Sequence, residues 1–576
     1  MMRNSWFLLY STLFLFTSVI WSQGGTDVTI VTDSERSVEP ASRISLRPQT
    51  FDTVIPSPEI NYPLLILREQ VTFEPNKIEP ATIRHKPQLS QLYNGYARLG
   101  GGSRLMGLGE VYYNSTRSRK NFWGVRALHL SEWGQISNYA PSQYDQTSAN
   151  AYLDVNERRY SYGGEVDFKN LGLHYYGFEN PEASRDSIRQ RYNKISGSGY
   201  YRSHHKDSNV LNYSVGLEYT NFMDRRPDED TLKRWQGREN FIAARSTWQY
   251  NMSNNELLSN MQADLDLMHN DYRYGIPDST LSGLDSGFVS SNTVIQLRPT
   301  THFYSKNEKF QFKLGGELAV DIGSRTRATL YPIGEVRYSL FDDLFIPYIG
   351  VEGGLTQQRF QLLAEQNEFI SSNMHLRNMQ HYDFRLGFKG TLSKRMTFNI
   401  GASFSNNRNM GLFINDTIYS SGNQFRVIYD TVNIACITGS LTYQHNEKIK
   451  FDGIARYNSY QARNNPHAWN LPDLEIILRG HYNISNKLIF NLDFTLEAGR
   501  KARVFSPNIP NVQEVDGVYF VPLGLIADAN LGVEYRYTSR LSFFGNLNNF
   551  AAQRYQRWFD YPVQAFQFML GASFRF

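Results

Sequence analysis

From about Leu92 to Phe576 apolar residues recur at every second position. Across 488–498, Leu488, Phe490, Leu492, Phe494, Leu496 and Ala498 alternate with Ile489, Asn491, Asp493, Thr495 and Glu497. Across 382–392, Tyr382, Phe384, Leu386, Phe388 and Leu392 face one way, and Asp383, Arg385 and Lys389 the other. Residues 310–321 set Phe310, Phe312, Leu314, Leu318 and Val320 against Gln311, Lys313, Glu317 and Asp321. A period of two belongs to β-strands, whose successive side chains point to opposite faces. The runs are about ten residues or longer, against about 5–6 for a globular strand.

The turns between runs alternate in length. Short polar turns are predicted at RSRK (117–120), ERR (157–159), HKDS (205–208), SNNE (253–256), SKNEK (305–309), FDD (341–343), SKR (393–395), NEK (446–448), SNK (485–487) and TSR (538–540). Longer polar loops are predicted at 135–148, 225–238, 275–286, 360–378, 464–473 and 501–516. Hairpins on ten short turns, with an opening and a closing strand, predict about 22 strands, in a range of about 18–22. The fold class is all-β: a transmembrane antiparallel β-barrel with short periplasmic turns and longer extracellular loops. Closure is required because lipid offers no partner to an unpaired strand edge.

The last residues, AFQFMLGASFRF, keep the alternation to the final position, with Phe566, Phe568, Leu570, Phe574 and Phe576 on one face. The ends of domains usually fray. A closing strand paired with the first strand would be held to its end.

Composition narrows the compartment. MMRNSWFLLYSTLFLFTSVIWSQ has a basic residue and then an apolar run too short for the ~20 residues of a membrane span. It reads as a secretory signal peptide over residues 1–23. Beyond it no window resembles a membrane-spanning helix, and mean hydropathy is −0.48. With 59 basic and 55 acidic residues the charge is too even for a nucleic-acid partner. The single Cys436 excludes an internal disulfide and a Cys-based metal site. Tyr and Phe number 37 each. Tyr112, Tyr113, Trp123, Trp133, Tyr160, Tyr162, Tyr175, Tyr176, Tyr200 and Tyr201 are read as girdles at the membrane interfaces.

Catalytic signals are few. His204 and His205 are adjacent on a turn, where extended neighbours point apart. GGGS at 100–103 lacks the helix a phosphate loop needs, and reads as a tight turn or a close approach. No catalytic residue, metal ligand or cofactor is assigned, and an enzyme is not expected. Lys313, Glu317, Asp383, Arg385, Lys389, Asp493 and Glu497 are read as lumen-facing charges. Their signs are mixed, where a selective pore would show one sign.

The strand count and the short inner turns resemble the TonB-dependent receptors of Gram-negative outer membranes. The segment LYNGYARLGGGSRLMGLGEVYYNSTRSRKNFWGVRALHLSEWG also resembles the TonB-dependent-receptor-like barrels of Bacteroidota. The resemblance covers roughly residues 60–576. It implies an integral outer-membrane receptor or channel for an unidentified ligand. DVTIVTDSE, with Asp27, Val28, Thr29, Ile30, Val31 and Thr32, resembles a TonB box, which joins its partner by strand addition. The terminal aromatic residue resembles the signal read by barrel-assembly machinery. The implied partners are outer-membrane lipid, that machinery, and TonB or other outer-membrane complex subunits. One departure stands out: residues 24–91 carry eight prolines and read as an extended arm rather than a standard plug. A second reading follows, of a plugless accessory barrel in an assembly or secretion complex.

Overall fold

The computed structural model describes residues 92–205, 210–224, 236–252, 258–275, 288–305, 309–323, 325–418, 420 and 422–576. The expected leader, the Pro-rich arm and the box-like Asp27–Thr32 lie outside the described residues. So do most of the expected loops 225–238 and 275–286, although their edges belong to the strands Gln236–Asn251 and Leu258–Gly275.

Alternating sequence becomes one antiparallel sheet of 22 strands. Each strand pairs with the next along the chain, and the first, Gly95–Gly102, pairs with the last, Gln567–Arg575. Beyond that register the Gly95 N–H donates to the Phe576 carbonyl at 2.8 Å, and the Phe576 N–H returns the bond at 2.9 Å. The carboxy-terminal strand is thus bonded to its end, and the sheet has no open edge.

Connections at one end are short: Asn156 to Tyr160, Ser393 to Met396, Asn446 to Ile449 and Ile484 to Leu488. Those at the other end are mostly long, as from Thr356 to Met379 and from Asn548 to Gln567. Two there are tight, Gly102 to Met106 and Ile322 to Thr326. Loops 175–188, 416–424 and 549–566 join the long connections, beyond those expected from the sequence. Residues 499–525 contain a small sheet of Lys501–Arg503, Val518–Pro522 and Gln513–Val515. The Gly-rich GGGS is mostly strand, with the turn at Ser103–Leu105. At Gly102 any Cβ would collide with the Phe568 carbonyl oxygen of the closing strand, which only glycine avoids.

The outer face is an apolar belt. Leu217, Leu330, Ile437 and Leu570 are each more than 60 % exposed, at 62, 71, 61 and 61 %. A water-soluble surface would not carry so continuous a patch. Near the short turns Tyr160, Tyr201, Tyr213 and Trp248 stack ring on ring across neighbouring strands, with centroids 5.7–5.9 Å apart. Four of the aromatics assigned to girdles lie elsewhere. Tyr112 and Tyr200 face inward and donate to Glu110 and Asp154 at 2.8 and 2.6 Å. Tyr175 and Tyr176 pack with the core built by the loops. The period gives a ring's face only where the strand continues, and both of these lie just past a strand end.

Candidate functional site: the loop that enters the lumen

Between the strands Ile346–Thr356 and Met379–Ser393 the two-residue period stops. The stretch FQLLAEQ is rich in helix formers and folds as a short helix, Phe360–Gln366. Its Phe360, Leu363 and Ala364 are buried. They pack with Tyr192, Phe222 and Tyr272 on three wall strands, Phe360 meeting those rings at 6.2, 5.2 and 5.1 Å. These rings face the interior of the sheet, so the loop turns into the lumen instead of standing above it.

Two buried carboxylates anchor it. Glu239, fully buried, accepts from the N–H groups of Phe360 at 2.8 Å and Gln361 at 3.0 Å, and from Asn270 Nδ2 at 2.9 Å. The first N–H groups of a helix have no partner within it, and a carboxylate answers both their hydrogen bonds and their partial charge. Asp224 accepts from the Gly237 N–H at 2.5 Å, from Gln190 Nε2 at 3.3 Å and from the Ser372 hydroxyl. Buried charge is tolerated only when so satisfied. Tyr175 and Tyr192 add hydroxyl bonds to the carbonyls of Ile370 at 3.1 Å and Glu368 at 3.0 Å.

A second wall holds the other side of the loop. Ser371 N–H donates to the Phe425 carbonyl at 2.7 Å, and Phe425 N–H donates to the Phe369 carbonyl at 2.9 Å. Phe369 stacks on Tyr561 with centroids 3.9 Å apart. Tyr561 belongs to loop 549–566, which Arg500 ties to loop 499–525. The Arg500 guanidinium is 2 % exposed and donates to the carbonyls of Arg557 at 2.7 Å and Gln556 at 2.8 Å.

Below the loop the inner face carries charges of both signs. Glu317 is fully buried and accepts from Arg298 Nε, Gln296 Nε2 and the Leu355 N–H, each at 3.0 Å. Arg385 bridges Glu335 and Glu352 at 3.1 Å each, with Asp383 directly across from Glu352. Lys313 stands opposite Glu335. Lys389 lines a cavity of about 540 Å³ with Lys309 and Arg337, near the short turns. Asp493 lies 3.6 Å from Arg479, and Glu497 lies 3.7 Å from Arg500. A second cavity of about 280 Å³ lies against the loop, between Glu368, Glu132 and Asp528. The structure does not gather the sequence-assigned charges into one site; they are spread along the wall. Phe566, Phe568, Leu570, Phe574 and Phe576 are all on the outer face, 41–61 % exposed.

Glu239, Asp224 and the inserted helix were not singled out in the sequence. The one available signal is the break in alternation at 360–378, which by itself marks a long polar loop and does not say whether that loop stands outside or folds into the lumen. Among the described residues no group of His, Cys, Asp and Glu is arranged to hold a metal ion. No helix among them is long and apolar enough to cross a membrane, which does not bear on a barrel that crosses with strands.

No protein-family model matches the chain, and no curated protein matches it. Solved structures do. The pyoverdine outer membrane receptor FpvA from Pseudomonas aeruginosa superposes with a TM-score of 0.61 at 12 % identity, over 84 % of this chain and 79 % of that one. The siderophore receptor PirA from Acinetobacter baumannii gives 0.61 at 11 %, over 85 and 81 %. The copper transporter OprC gives 0.60 at 11 %, over 85 and 82 %. At such identities the likeness concerns architecture: the chain has the closed 22-strand antiparallel barrel fold of these structures.

Proposed function

We propose that this chain is an integral outer-membrane receptor or channel of the TonB-dependent-receptor type, which takes a ligand at its long-loop end and passes it through the lumen. The observation that carries this reading is the inserted loop 357–378, hung on Glu239 and Asp224 at one wall and on Phe425 and Tyr561 at the other. A barrel of 22 strands encloses a lumen that proteins of this size obstruct. A loop anchored by side-chain and backbone hydrogen bonds, with no covalent tie, can obstruct and release. The outward apolar belt supports the outer-membrane location, and the barrel shared with named receptors and a transporter supports the receptor class. In this reading Asp27–Thr32 offers the strand through which TonB pulls, and Phe576 with its alternating neighbours is what the assembly machinery reads. The role assigned to the chain is not enzymatic.

Reconstitution in planar bilayers tests it. The intact chain should be nearly silent, and deletion of residues 360–372 should open steady conductance in a barrel that still shifts on gels when boiled. Equal conductance with and without the loop overturns the gate. Stoichiometric co-purification of partner subunits, with no phenotype on removal of residues 27–32, would replace the receptor reading with the accessory-barrel one.

A further inference from the structure

On the outer face the apolar belt gives way to a charged step above the strands Gln236–Asn251 and Leu258–Gly275. Ile242 is 52 % and Leu267 43 % exposed. Toward the long-loop end the same face carries Asn240 and then Arg238 on one strand, and His269, Asp271 and Arg273 on the next. Arg238 and Arg273 are directly opposite in register. Both are exposed, the Arg273 side chain at 65 %.

Like charges set directly across an antiparallel pair repel. Elsewhere in this barrel such pairs have counter-charges at hand. Glu475 and Glu497 face each other with Arg456 at 2.6 Å from the first and Arg500 at 3.7 Å from the second. Glu352 and Asp383 share Arg385, 3.1 Å from Glu352. Lys169 and Lys194 face each other on the inner side, where Glu365 of the inserted loop lies 3.9 Å from Lys194. Among the described residues the arginine pair has one carboxylate partner, Asp271 at 2.9 Å from Arg273, and none pairs with Arg238.

We propose that Arg238 and Arg273 together hold the phosphate of a lipid headgroup, whose acyl chains lie along Ile242, Leu267 and the belt beneath. Guanidinium groups match phosphate oxygens with paired, charge-assisted hydrogen bonds. The intervening Asn240, which accepts from Asn221 Nδ2 at 2.8 Å and from the Tyr219 hydroxyl at 3.1 Å, faces the ester region of such a lipid. Toward the long-loop end the outer-face levels run Ile242 with His269, Asn240 with Asp271 and Arg238 with Arg273. The paired cations thus stand above hydrocarbon as a headgroup phosphate stands above acyl chains, and a soluble anion would have no use for the belt. The proposal rests on the membrane reading above.

Native mass spectrometry of the full chain in uncharged detergent tests it, with dioleoyl phosphatidate and dioleoylglycerol, which share acyl chains and differ in the phosphate. Phosphatidate should bind more tightly. Arg238→Gln and Arg273→Gln should each weaken it by about tenfold, as losing a charge-assisted bond does. Dioleoylglycerol should not respond to either variant. Equal binding of the two lipids, unchanged phosphatidate affinity in both variants with gel-verified barrels, or inorganic phosphate competing at the lipid's own concentration would each overturn the lipid site. A chain that stays monomeric in water without amphiphile would instead overturn the membrane reading, so the two failures are told apart.

Discussion

The Glu239 carboxylate caps the helix that begins at Phe360, accepting its N–H at 2.8 Å and that of Gln361 at 3.0 Å. One wall strand therefore fixes the first turn of the segment that enters the lumen. Glu239→Gln keeps the shape but loses the charge, and Glu239→Ala strands two buried N–H groups at about 1–3 kcal/mol each. Hydrogen exchange should speed at amides 360–366 in the order Ala, Gln, wild type, with the strand amides unchanged. Uniform protection in all three would refute the anchor.

The Phe369–Tyr561 stack is the corresponding hold on the far side. Phe369→Ala removes a buried ring, a change that costs about 3–5 kcal/mol in a packed core. Because the ring belongs to a loop, the loss should appear as loop release and raised bilayer conductance, with the boiling-dependent gel shift retained. A variant that unfolds the barrel without raising conductance would place the ring in the fold and not in the gate.

Asp560, beside Tyr561 on the loop 549–566, has its carboxyl pushed up to about 6 by burial, with a smaller push from Glu179. Its unfolded value is about 3.9. A raised folded-state value means that the fold favours the protonated form. The stabilisation is complete below the unfolded value and is lost as pH rises through about 6. Exchange of amides 556–563, corrected for intrinsic rate, should therefore be slower at pH 5 than at pH 7.5, and Asp560→Asn should flatten the difference. Slower exchange at the higher pH would reverse the sign of the argument.

Arg500 joins two long loops through the carbonyls of Gln556 and Arg557. Lysine keeps the charge but lacks the planar fork that reaches both oxygens. Arg500→Lys should expose sites within 499–525 and 549–566 to limited proteolysis, and Arg500→Met should do so further. If lysine restores full resistance, charge and not geometry is the link.

Phe576 closes the barrel through two backbone bonds to Gly95. Removing it deletes both and also the last outward ring. Yield of heat-modifiable protein in the outer-membrane fraction should fall, whereas Phe576→Tyr should preserve it. Undiminished yield after deletion would detach assembly from the terminal residue.

Alternation was enough to determine the strands, their antiparallel order and the short turns, while three of the long loops, 175–188, 416–424 and 549–566, went unmarked. Hydrocarbon on every second position allows one orientation for a strand of a closed barrel with an apolar outer face and a polar lumen, and turns of contrasting length tell its two ends apart. The last strand's partner followed from the need to leave no edge. What the period could not supply was height and distance around the barrel. Glu239 and Asp224 are, in sequence, two more inward polar residues among many. They become anchors only because a segment more than a hundred positions later folds back onto them, Phe360 at a separation of 121 and Ser372 at 148. The same holds for Tyr175 and Tyr176, whose rings pack where loops meet. Period two is a local property of backbone pleating, whereas the occupancy of the lumen is set by contacts between segments far apart along the chain, and only the closed structure brings those together.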